Sequence, residues 1–524
     1  MVPGGCPGCR GRLDGDLVIP DWADARVSVT PLPSGIVRVG PHPIGAAGIG
    51  RVLLAGATML VDPMTPHSVP SLEVSDASTA EPWLRDLLGD TVADQVLAAE
   101  TRGPEEGGSR ETATAVIGPE LSQAARLGML LWLALDGPWV LPPDVLALEM
   151  VVGSTALLPR LDDEEVVAEA IAAMANPVSD LLLATVRGVP GGHSVPLDLA
   201  RRAARAVSTT VPLSDPAFER LIQSVAEDPD PSTRRGHHGF DAAQLLLACT
   251  PVGATHAGTD DVLYSGSATA DWRRNSPGSV SRDEDAIFWS VELRGSAAEV
   301  SVVVPRPSTS GMSATVSPEG LLKALVPFAR LTADLGSSVS LHTAAWPLAI
   351  AEARLAGHDG SSTRRGRLLL EGVAAATVAA ALRHGSLVVD VHDAGVRHAH
   401  LLDDPLAAAA RRWTARGVCA ARLAIARRDS SVEQAAVAAL SRGAQLWRAT
   451  DSSTSRPGLG ELRAQHCTGW LALIRRAPAA SRTIAEPDLP ADSVPFPTPI
   501  SRDDEEHPLL QPTEAELAFA DIEQ

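Results

Sequence analysis

Ala286-Ile-Phe-Trp-Ser-Val-Glu-Leu-Arg-Gly-Ser-Ala-Ala-Glu-Val-Ser-Val-Val-Val304 decides the fold class. Its β-branched and aromatic residues fit a pleated surface better than a helix. A short turn at Gly295 splits the run into two strands. Working outward toward higher numbers, the pattern predicts a helix over 318–335, a strand over 338–342 and a helix near 346–356. Leu368-Leu-Leu, a helix over 373–383 and Leu387-Val-Val-Asp-Val391 then form a strand–helix–strand unit, which suggests a small open sheet. From Pro405 to Arg476 the reading is all helical.

Toward lower numbers, 257–284 reads as a polar loop, and Glu227-Asp-Pro-Asp-Pro-Ser-Thr-Arg-Arg-Gly236 as a boundary, because two prolines among charges break regular structure. Helices are predicted near 197–208, 215–228, 163–175 and 118–135, and over 82–99. Residues 64–82 read as a connector. Alternation in Arg26-Val-Ser-Val-Thr30 and Ile36-Val-Arg-Val39, followed by Val52-Leu-Leu-Ala55 and Met59-Leu-Val61, marks a small β-unit. The fold class is therefore mixed α/β (α+β), with several modules. They are a flexible 1–18, a β-rich 19–63, a mainly helical 82–228, an α/β 237–404, an arginine-rich helical 405–476 and a disordered acidic tail 477–524. Within that tail a short helical peptide is expected over 513–523, because Thr513-Glu-Ala-Glu516 fits a capping box ahead of Leu517, Phe519 and Ile522.

Composition excludes more than it assigns. Lys323 is the only lysine among 44 basic residues, Tyr264 the only tyrosine, and Asn176 and Asn275 the only asparagines. That pattern follows GC-rich codons and predicts an actinobacterial genome. It also removes whole chemistries. A Walker loop needs Gly-Lys-Ser/Thr, and a kinase or Ser-x-x-Lys site needs a lysine in its own setting; Lys323 lies in Gly-Leu-Leu-Lys-Ala-Leu. No Gly-x-Gly-x-x-Gly follows a strand. A net charge of −20 disfavours contact with nucleic acid or anionic lipid by the chain as a whole. Five cysteines do not make a disulfide framework, and neither an 18-residue apolar run nor a signal-peptide pattern is present. The expected location is the cytoplasm.

Five residues form the metal candidate: Asp390, His392, His398, His400 and Asp403. On a strand, His398 and His400 share one face. Imidazoles with carboxylates suit zinc or another first-row metal, with one coordination position left for water. Leu401-Leu402 separates the histidine pair from the acids, unlike the His-x-His-x-Asp-His pattern of the metallo-β-lactamases. Cys6-Pro-Gly-Cys9 has the knuckle spacing of a zinc site but no second pair. Gly192-His193-Ser194-Val195-Pro196 has half of a nucleophile elbow, with proline where the second glycine belongs. His237 and Asp241, with Cys249 further on, have acyltransferase-like spacing without the remaining motif.

The other candidate is a charge contrast. Residues 405–476 carry twelve arginines against four acids, with doublets at Arg411-Arg412, Arg427-Arg428 and Arg475-Arg476, while 477–524 carries eleven acids against two arginines. Arginine forks bind phosphate bidentately, so these six are the polyanion or nucleic-acid candidates. The expectation that best absorbs the whole sequence is an accessory or interaction protein of a cytoplasmic assembly, with a protein partner reached through 513–523. A metal-dependent hydrolase on 390–404 and a polyanion binder on 405–476 are the alternatives.

Overall fold

The computed structural model describes residues 26–32, 35–66, 68–102, 111–116, 119–137, 143–160, 197–210, 262–268, 287–305, 325–333, 350–356, 362–384, 387–395, 405–427, 429–450, 458–474, 512–513 and 515–517. Helices and antiparallel sheets together make the fold mixed α+β.

The first sheet contains β1 (Arg26–Pro31), β2 (Val37–Val39), β3 (Gly50–Leu54), β4 (Ala57–Val61), β5 (Ser71–Val74) and β6 (Glu111–Thr114), in the order β3-β4-β5-β2-β1-β6. Every pairing is antiparallel. Strand β4 is buried along its whole length. Inside the sheet, Arg38 of β2 stands opposite Glu73 of β5 and pairs with it at 2.7 Å, so the burial of a charged residue is compensated. Two strands came from segments read otherwise: β5 from the expected connector, and β6 from the module expected to be mainly helical.

Helices α1 (Ala77–Leu88) and α2 (Asp90–Arg102) divide the single helix expected over 82–99. Asp76 caps α1 by accepting from the Thr79 amide at 3.0 Å. Gly89, at φ 85°, ends it. Helix α3 (Pro119–Asp136) crosses β3 in direct backbone contact. A Cβ on Gly50 would stand 1.9 Å from the Gly128 carbonyl oxygen, so glycine is required at the crossing. Further along α3, Trp132 donates from Nε1 to the Ala47 carbonyl at 2.8 Å. Helices α4 (Pro143–Leu157) and α5 (Leu197–Thr210) follow.

The same hydrophobic core continues into α7 (Pro405–Arg427), α8 (Ser430–Thr450) and α9 (Leu459–Ile474), through Val418, Cys419, Leu440, Trp447 and Trp470, and takes in Ala515. Helices α7 and α8 approach closely at small residues. A Cβ on Gly443 would lie 2.6 Å from Thr414 Oγ1, and one on Gly417 2.5 Å from Leu440 Cγ. The sequence reading separates 19–63, 82–228 and 405–476; one core runs through the described parts of all three.

A second core gathers Ile287, Val291, Val300, Val302, Val304, Leu368, Val378, Val389 and Val391. It lies under a sheet ordered β12-β9-β8-β7, built from β7 (Val262–Ala268), β8 (Ile287–Arg294), β9 (Ala297–Pro305) and β12 (Thr363–Glu371). Gly295, at φ 56°, makes the expected β8–β9 turn. Burial alternates along β9, as period two requires. A three-stranded sheet, β11 (Ile350–Arg354), β10 (Leu325–Ala333) and β13 (Leu387–Gly395), completes this part, with α6 (Val373–His384) between β12 and β13. The expected strand–helix–strand unit is present, but its strands enter different sheets. Ala356 and Arg365 exchange backbone hydrogen bonds at 2.8 and 2.7 Å and stitch the two sheets together. The helix expected over 318–335 is strand β10 from 325 to 333, and that expected near 346–356 is strand β11 from 350 to 354. Strand β7 lies in the expected loop 257–284. Among the described residues, no helix is long and apolar enough to cross a membrane.

Candidate functional site

The terminal capping box forms, and the chain itself holds it. Thr513 Oγ1 accepts from the Glu516 amide at 3.2 Å, and Glu516 Oε2 accepts from the Thr513 amide at 2.8 Å. The Leu517 amide donates to the Thr513 carbonyl at 3.0 Å, closing the first helical bond of the turn. Pro512, Thr513, Ala515 and Glu516 are buried. The sequence reading left this peptide open to a partner; the structure seats its described residues in the first core.

Three receptor side chains meet the turn. On α7, Arg422 reaches the Glu516 carboxylate at 3.0 Å and is itself buried. From the end of the same helix, Arg427 donates to the Leu517 carbonyl at 2.9 Å. On α4, Glu149 Oε2 accepts from the Ala515 amide at 3.1 Å, while its other oxygen faces Arg126 of α3 at 3.2 Å. The first amides of any helix lack intrahelical partners, so a carboxylate there completes what the capping box leaves open. Cys419 lies one turn before Arg422 on α7. Burial, and then the Glu516 charge, push its thiol well above the usual range.

Ala515 joins the core, Leu517 packs partly buried against it, and Pro512 is buried beside them. Directed polar contacts add to that packing. A buried ion pair contributes modest net stability because desolvation offsets attraction, but its geometry is demanding. A cavity of about 90 Å³ lies alongside the dock, between α3, α4 and α5, and shares Arg126 and Glu149 with it.

A second polar junction ties α9 to the first sheet. Asp62 accepts from the Ile44, Gly45 and Met64 amides at 2.6, 3.0 and 2.9 Å. Burial raises its pKa against the pull of those amides and of Arg463. Arg463 donates to the Ile44 carbonyl at 3.2 Å and lies 4.6 Å from the centre of the Trp447 ring. Trp470 Nε1 donates to the Met64 carbonyl at 3.3 Å. These contacts tie α9, and through the Trp447 ring α8, to the loops of the first sheet.

Of the metal candidates, His392 is buried in β13 opposite Phe328 of β10, and Asp390 stands on the same strand opposite Arg330. His398, His400 and Asp403 lie outside the described residues, as do Cys6, Cys9, Ser194, His237, Asp241 and Cys249. Among the described residues, no three His, Cys, Asp or Glu side chains gather as a metal site. Of the polyanion candidates, Arg411 and Arg412 are half-buried on α7 and Arg427 holds the Leu517 carbonyl; Arg428, Arg475 and Arg476 lie outside the described residues. The sequence reading missed Glu149, Arg422 and Arg463, whose partners are remote in the chain, and Asp62, whose role in gathering the amides of two loops shows in no residue pattern. Comparison with known protein families, curated proteins and solved structures finds no match.

Proposed function

We propose that this chain is an accessory protein of a bacterial, actinobacterial assembly in the cytoplasm, and that it works by binding another protein. The observation that supports this reading is the dock for 512–517. Charged arms from two helices converge on the backbone and carboxylate of a helix-initiating turn. Recognition of a short helix by a groove between helices is a recurrent mode of protein association.

The test is recovery of a partner from the host of origin, followed by reconstitution from purified components. A single protein should co-purify with the intact chain in fixed proportion at physiological salt, and the two should rebind saturably. Absence of any stoichiometric partner, together with a turnover activity of the purified chain, overturns the reading.

A further inference from the structure

We infer that the 512–517 turn is an exchangeable plug, and that the groove it fills is the binding site for a partner segment beginning a helix with Thr-x-x-Glu. This rests on the interaction reading above and specifies its site, its ligand and its regulation.

The contacts themselves define the ligand. Glu149 takes a first-turn amide, Arg422 takes the carboxylate of the fourth residue of the box, and Arg427 takes the carbonyl that follows. Two of these contacts are to backbone, so they recognise helix-start geometry and not side-chain identity. The Arg422 contact is to a side chain, and inside a buried site it admits an acid and rejects its neutral isosteres. Thr513 supplies the capping hydroxyl, which accepts from the Glu516 amide while the backbone amide of the same residue donates back. At the position of Ala515 the core receives a small side chain. The ligand class is therefore a peptide reading Thr-x-(small)-Glu at the start of a helix.

The same features make the plug replaceable. Residues 475–511 separate it from α9 in the chain, so it is a tethered segment and not the next turn of that helix. A second peptide with the same capping box can reproduce each of its polar contacts. A covalent tether supplies an effective concentration on the order of millimolar. An intrinsic Kd about 100-fold below that concentration leaves the dock about 99% closed and weakens a competing ligand on the order of 100-fold. Only a partner presented at high local concentration, or with contacts beyond the turn, displaces it. The groove therefore stays closed to stray peptides.

The experiment titrates a fluorescein-labelled peptide of residues 509–521 with the full chain, wild type or carrying Thr513→Ala and Glu516→Gln, and reads anisotropy. The substituted chain should bind with an apparent Kd at least tenfold lower than wild type. The peptide bearing the same two substitutions should not bind. Should the substituted chain fail to fold, hydrogen exchange on the wild-type chain replaces it: excess isotope-labelled peptide should accelerate exchange of the chain's own 513–517 amides. Equal binding to both chains, binding to neither, or exchange unmoved by excess peptide overturns the plug. If a stoichiometric partner is nevertheless recovered, the interaction reading survives without it. Peptide exchange with no such partner leaves the plug and removes that reading.

Discussion

Arg422 and Glu516 stand 94 residues apart in sequence and form an ion pair closed to water, their side chains 1% and 0% exposed. Arg422→Met takes the cation from the Glu516 carboxylate, and because the tethered turn can leave the dock, the cost should be limited to the docking free energy, about 2–3 kcal/mol. Adding Glu516→Leu should recover part of that loss, because neither charge is then stranded. Urea denaturation followed by tryptophan fluorescence measures both. A double variant less stable than Arg422→Met alone would contradict the buried pair.

The two buried thiols predict an alkaline limit. Cys467, in contact with Thr414 Oγ1, is pushed up to about 12, chiefly by burial, and Cys419 is raised as well. Above a pH of about 8.5 the unfolded chain releases these protons while the fold retains them, so stability falls as pH rises, by up to about 1.4 kcal/mol per pH unit per thiol. Between pH 8.5 and 10.5 the melting temperature of Cys467→Ala should fall less steeply than that of wild type, from a lower starting value. At pH 8 both thiols should resist thiol reagents until the chain is denatured.

Two glycines should respond in opposite directions. Gly50→Ala forces a methyl group onto the Gly128 carbonyl at the crossing of β3 and α3, and should cost at least about 1–3 kcal/mol. Gly469, inside α9, has open space for 4 Å around the point where a Cβ would stand. There alanine improves helix propensity and should stabilise by about 0.5–1 kcal/mol. Thermal melting of both variants against wild type checks the pair, and equal shifts would contradict the close crossing.

Elemental analysis separates the interaction reading from the metal-dependent alternative. Protein purified without chelator should carry no stoichiometric first-row ion. One equivalent that disappears with His398→Ala/His400→Ala would replace the interaction reading with metal chemistry at 390–404.

Legibility followed the range of the forces involved. Strands β8 and β9 could be read because Ile287, Val291, Val300, Val302 and Val304 alternate locally, and α7 to α9 because alanine-rich segments favour helix over long windows. Strand β10 could not. Leu325, Phe328 and Leu331 recur every third residue, and Pro327 argues against a strand interior. Its pairing explains the exception: Pro327 faces only β13, because pairing with β11 begins at Phe328. At the candidate site the same rule holds. Thr513 and Glu516 announced their capping box because they stand three positions apart. Glu149 and Ala515, 366 residues apart, left no trace in any window.

The junction of Asp62, Arg463 and Trp470 sets a schedule for biosynthesis. The loops at 44–45 and 62–64 leave the ribosome roughly 400 residues before the helix that completes them, which at 5–20 residues per second is a wait of about 20–80 s. Throughout that interval the valine-rich first sheet is made but not yet covered by α9, while the sheets of the second core emerge beside it. A nascent chain in that position is a client for a chaperone, and slowing translation between codons 64 and 463 should lower the yield of native protein more than slowing it after codon 474.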